Sequence, residues 1–113
     1  MGLMAGRQGT GVAPGARWIA VKAFTDTRRS TDVWLLDAFQ WLVAPGDDPA
    51  LAPDIVNGSW SSAARDSDMF RQAVRAMRAA GIVPVFSAGN DGPVSQTVGI
   101  PGGYAEVLTV GAT

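Results

Sequence analysis

Two residue types that carry much of enzyme chemistry are missing from these 113 residues: the chain has neither histidine nor cysteine. Without histidine the commonest general base and metal ligand is gone, and without cysteine there is no thiolate nucleophile, cysteine-held zinc or disulfide. The acids Asp26, Asp32, Asp47, Asp48, Asp54, Asp66 and Asp68 invite pairing for glycosidase or metal work. Most fall in loops or first turns of helices, where capping and solubility account for them. The glycines of "GRQGTGVAPG" precede a strand-like run instead of joining a strand to a helix, and no Gly-Lys-Ser/Thr occurs. A phosphate cradle is therefore not expected. Asn57-Gly58-Ser59 spells a glycosylation acceptor but sits at the end of an apolar run, so it reads as a strand terminus. Arg28 and Arg29 read as a solvated basic pair in a turn.

Asn90 stands apart. In "VFSAGNDGP" an apolar run breaks into small residues, and Gly89 lets the backbone turn tightly so that the next side chain projects past the strand end as an amide donor. On local grounds an asparagine bonded to its own turn explains the stretch equally well.

Several elements must position these groups. Residues 18–24, "WIAVKAF", read as a buried strand. Ser30, Thr31 and Asp32 offer N-cap oxygens to a helix over "VWLLDAFQWLV", apolar nearly all round and stopped by Pro45 and Gly46. "APGDDPALAPD" is a loop and "IVNGSW" a second strand. The next helix has Phe70, Ala73, Val74 and Met77 on one face and Arg71, Arg75 and Arg78 on the other, with Asp66, Ser67 and Asp68 at its start and Gly81 past its end. "IVPVFS" and "VLTVGA" are the third and fourth strands. Apolar strands alternating with helices predict a three-layer α/β/α arrangement around a mainly parallel sheet. Its working edge lies beyond the carboxyl ends of the strands, at "TDTRRS", "NGSWSS" and "SAGNDGP".

Composition narrows the partners. Ten acids against nine bases leave a net charge of -1, so no overall field favours nucleic acid or anionic lipid. No apolar run reaches the roughly 18 residues of a membrane span. The chain is long enough for one domain, and its abrupt opening, "MGLMAG", reads as a piece of something longer.

Four ordered blocks, "GVAPGARWIAVKAF", "APDIVNGSWSS", "AAGIVPVFSAGNDGP" and "GGYAEVLTVGAT", resemble consecutive segments of subtilisin-like serine proteases, of the bacillopeptidase F type in particular. The resemblance covers nearly all of residues 1–113 and implies a partial peptidase domain, lying between the segments that supply the catalytic His and Ser. "MGLMAG" looks like the helix that bears the His, entered just after it, and "TVGAT" like a strand that precedes the Ser. The resemblance implies an endopeptidase of secreted type that acts on peptides or proteins, needs no cofactor for its chemistry, and is inert as this piece alone because no triad forms without a His. The alternative is a non-catalytic relative that keeps the fold for binding peptides or for scaffolding. An unrelated doubly wound small-ligand domain would need a phosphate-binding or acidic cluster at the strand ends, and none is found.

By the same resemblance Asn90 matches the oxyanion-hole asparagine. Ser59, Trp60 and Ser61 match the segment whose backbone pairs with an extended substrate, and Ser87, Ala88 and Gly89 match the far wall of the primary specificity pocket. Arg28, Arg29 and Ser30 fall near a second substrate-flanking strand. Ser61 stands where a glycine is commoner and is expected to narrow the pocket mouth. The backbone carbonyls of Gly102, Tyr104 and Val107 match a weak site for calcium or a monovalent cation, whereas the tighter calcium loop is expected to be absent between Gly6 and Gly11. With covering segments missing, the isolated piece is expected to self-associate through bare apolar surface.

Overall fold

The computed structural model describes residues 1–112; Thr113, the last letter of "TVGAT", lies outside the described residues. Its helices are α1 (Gly2–Ala5), α2 (Asp32–Val43) and α3 (Arg71–Ala79), and its strands are β1 (Ile55–Gly58), β2 (Val83–Ser87) and β3 (Leu108–Val110). All three strands are parallel in the order β1-β2-β3, with Val56 opposite Pro84, Gly58 opposite Phe86 and Ser87 opposite Val110. This is an α/β fold around a parallel sheet, as the alternation of apolar strands and helices requires.

The core lies on one face of the sheet. Leu35 and Phe39 of α2 and Val74 and Met77 of α3 meet Val56 and Phe86 of the strands, together with Phe70, Ile82, Ile100 and Tyr104. Trp60 sits among Phe39, Phe70 and Phe86 with ring centroids 6.1, 5.5 and 5.7 Å away, and these edge and stacked contacts fix its indole in the core. The opposite face is bare: Ile55 is 62% and Val83 47% exposed. The three-layer arrangement is thus present in incomplete form, with α2 and α3 on the same side. For the same reason α2 buries only the stripe Leu35, Ala38 and Phe39, although its sequence is apolar nearly all round.

Helix ends follow local chemistry. Thr31 caps α2, its hydroxyl accepting from Trp34 N at 3.3 Å. Beyond α3, Gly81 has φ of 83°, Gly81 N donates to Arg78 O and Ile82 N donates to Met77 O, both at 3.0 Å. This is the paired closure a glycine in the left-handed region permits. The start of α3 departs from expectation: its first turn holds no acid, and Asp68 instead pairs with Arg71 at 2.8 Å. The Tyr104 hydroxyl caps the helix from across the fold, accepting from Phe70 N at 3.3 Å and donating to Ser67 O at 2.7 Å.

The strand expected over residues 18–24 is not formed. An apolar run supplies strand propensity but not a neighbour, and here its polar backbone finds only local partners: Ala23 N donates to Val21 O at 3.1 Å, and Ala23 O accepts from Ser30 Oγ at 2.6 Å. Trp18 remains 61% exposed. Only Ala23 and Phe24 of this run reach the core, Phe24 with its ring 6.1 Å from Trp60. An open groove of about 620 Å³ remains between the run and α2, lined by Val21, Phe24, Asp26, Trp34 and Trp41 among others.

Candidate functional site

Parallel strands present their carboxyl ends along one edge, and here the ends of β1 and β2 are adjacent because Gly58 pairs with Phe86. An added Cβ at Gly58 would run into the Phe86 ring. That close approach draws the two strand ends together and explains the glycine inside "NGS" without glycosylation. Asn57 donates from Nδ2 to Ser59 Oγ at 3.0 Å. One residue on, the Ser87 hydroxyl donates to Trp60 O at 3.1 Å and ties the segment after β1 to the end of β2. Ser62 and Ile100 then form an antiparallel bridge, with N–O distances of 2.8 and 3.1 Å.

These bonds bring together both segments singled out from the sequence. Ser59, Trp60 and Ser61 lie on one side of this junction and Ser87, Ala88 and Gly89 on the other, and Ala88 N donates to Val110 O at 2.8 Å to anchor the second segment to β3. The Trp60 side chain is spent on the core, so that residue faces the site only with its backbone. Gly89 has φ of 91°, the left-handed turn expected from its place before Asn90. Ser61 meets it directly: a Cβ added at Gly89 would lie 3.0 Å from Ser61 Oγ.

Asn90 is exposed at the end of the central strand. Among the described residues its amide makes no hydrogen bond to the protein, so it is not the self-bonded turn asparagine that local reasoning allowed. Beside it Asp91 pairs with Arg65 at 3.2 Å, a contact between loops that the sequence does not announce.

The other candidates are placed elsewhere. Arg28 and Arg29 lie exposed in a turn closed by Arg28 N to Thr25 O at 2.9 Å. Asp26 pairs with Lys22 and Asp48 caps the N–H of Ala50. Among the described residues no three or more acids gather as metal ligands would. Gly102 O accepts from the Thr109 hydroxyl, and Tyr104 O accepts from Val107 N at 3.3 Å. Each of these two carbonyls thus already accepts one hydrogen bond within the fold.

Tyr104 is tied to the segment before α3 by both ends of its hydroxyl's hydrogen bonding. Its buried ring lies under the Arg71 guanidinium, 4.8 Å from the centroid, and burial pushes its phenol above the usual value. Glu106 is held below the ordinary carboxyl range by its hydrogen bond from Arg75 at 2.8 Å. Arg78 donates to Glu106 O at 3.0 Å, so α3 grips the segment that leads into β3. Sequence reasoning missed this grip, for which the only signal is the arginine face of α3.

The Subtilase family matches residues 2–113, and the chain belongs to that family. Over 114 residues it is 45% identical to Bacillopeptidase F of Bacillus subtilis (strain 168), covering 91% of this chain and 8% of that protein. It is 34% identical over 108 residues to Serine protease AprX of the same organism, covering 90% of this chain and 24% of the relative. With Subtilisin DY of Bacillus licheniformis the identity is 32% over 104 residues, covering 90% and 35%. The chain thus spans between 8% and 35% of the length of these relatives.

Proposed function

We propose that this chain is the substrate-cradling central part of a subtilisin-like serine endopeptidase domain. The observation that carries the reading is the exposed, unbonded amide of Asn90 at the end of the central strand, next to the two segments joined through Ser87 and Trp60. In the complete domain a serine supplied by another segment attacks the scissile carbonyl, and its proton passes to a histidine also supplied from elsewhere. The carbonyl oxygen gains negative charge as the bond forms, and Asn90 Nδ2 donates to it. A preorganised donor of this kind acts on charge that exists only in the transition state, so it speeds turnover without tightening ground-state binding. Ser59, Trp60 and Ser61 offer backbone groups to an extended peptide, while Ser87, Ala88 and Gly89 bound the side chain before the scissile bond.

Alone the chain cleaves nothing, because it contains no histidine. The carbonyls of Gly102, Tyr104 and Val107 serve at most a weakly held calcium or monovalent ion with no part in the chemistry. The bare face around Ile55 and Val83 leads the isolated chain to self-associate. The family resemblance alone supports a working compartment outside the cell. The test is hydrolysis of a chromogenic peptide by the complete polypeptide that carries these residues. We expect turnover that a serine-directed acylating reagent abolishes, and only background from the isolated chain. A folded complete polypeptide with no turnover would make this a non-catalytic peptide-binding or scaffold domain.

A further inference from the structure

Residues 89–99 lead from the end of β2 back to the core with little to hold them. Asn90 and the six residues after it are exposed or half-buried, and Val94 keeps 71% of its surface bare. Among the described residues, hydrogen bonds tie this loop to the rest of the fold at two points. At its far end Gly99 O accepts from Gly103 N at 2.8 Å, next to the bridge between Ile100 and Ser62. At its near end, one residue past Asn90, Asp91 Oδ2 accepts from Arg65 Nη2 at 3.2 Å. The end that carries the free amide is therefore held by an ion pair alone. Its backbone has room to swing, because Gly89 precedes it with φ of 91° and no Cβ. Arg65 is a firmer anchor, since its segment is fixed by Trp60 O on Ser87 and by Ser62 on Ile100. We infer that Arg65 is a positioning residue: through its pair with Asp91 it fixes the turn and so the direction in which Asn90 offers its amide. Both partners are partly exposed, so the pair is a weak strap and is screened by salt. A weak strap is enough to matter, because a group misplaced by about 1 Å loses much of its hold on a transition state.

This inference rests on the proposed peptidase reading, and one experiment separates the two. The kcat and KM of the complete polypeptide are measured on one chromogenic peptide for wild type, Arg65→Ala, the near-isosteric Asp91→Asn, Asn90→Ala, and Arg65→Ala combined with Asn90→Ala. Each of Arg65→Ala and Asp91→Asn should lower kcat about 2- to 5-fold with KM little changed, the range open to an exposed ion pair. Added salt should bring the wild-type kcat down toward that of these two variants while theirs stays level. In the Asn90→Ala background the loss of Arg65 should lower kcat no further, because a residue that acts only through Asn90 then has nothing to position. An unmoved kcat in both variants of the pair, a salt response shared equally by wild type and variants, or a fall that recurs undiminished without Asn90 overturns the inference and leaves the peptidase reading standing. A folded wild-type polypeptide with no turnover overturns both.

Discussion

The ends of β1 and β2 lie side by side, and each couples a glycine to an asparagine, yet the two pairs do opposite things. At the end of β1, Gly58 is needed because the Phe86 ring presses on it, and Asn57 spends its amide on Ser59. At the end of β2, Gly89 is needed for its φ of 91°, and Asn90 projects from the turn with its amide unspent. The β1 pair closes the core and the β2 pair leaves an amide free at the surface. A glycine beside an asparagine is thus ambiguous until it is known whether the missing Cβ makes room for a neighbouring ring or for a backbone turn.

Substitutions sharpen this contrast. The largest stability loss belongs to Gly58→Ala, which forces a methyl against a fully packed ring and should cost about 3 kcal/mol, read as a lowered urea midpoint. Gly89→Ala meets backbone strain and the Ser61 hydroxyl instead of a core ring. It should cost about 1–2 kcal/mol. Equal losses at the two positions would erase the distinction.

Tyr104→Phe is the smallest of the three, about 1 kcal/mol, because it removes only the phenol that bridges Phe70 N and Ser67 O. It carries a pH signature. Burial raises the Tyr104 pKa in the folded state above 10.0, so its stabilisation is fully present below that value and is lost as pH rises through the folded value. The variant should lack that alkaline component, in melts compared on either side of pH 10. A wild-type alkaline loss that survives in the variant would assign it to another group.

Much of this was legible in the sequence. The buried stripe of α3, the glycine after it and the three strands followed from spacing, and the small residues before Asn90 marked a turned strand end. The strand expected over residues 18–24 was not formed, because propensity names a conformation and not the neighbour that must complete its ladder. The start of α3 was misread for a related reason: its cap comes from Tyr104, 34 positions beyond Phe70, where no local pattern reaches. Within the site, the resemblance supplied roles that spacing alone could not. The meeting of Ser61 with Gly89 and the withdrawal of the Trp60 ring into the core are products of packing between strand ends, visible only once the sheet is assembled.

The central claim is that the free amide at the end of β2 is a transition-state donor and the tied amide at the end of β1 is not. The direct measurement is kcat and KM of the complete polypeptide carrying Asn90→Ala beside one carrying Asn57→Ala, on one chromogenic peptide. For Asn90→Ala we expect kcat to fall about 100- to 1,000-fold with KM nearly unchanged, the loss that removing such a donor causes in subtilisin. Asn57→Ala should keep kcat within about threefold, losing only the net worth of one exposed hydrogen bond in stability. Full turnover in Asn90→Ala, or an equal fall in both variants, would contradict the account.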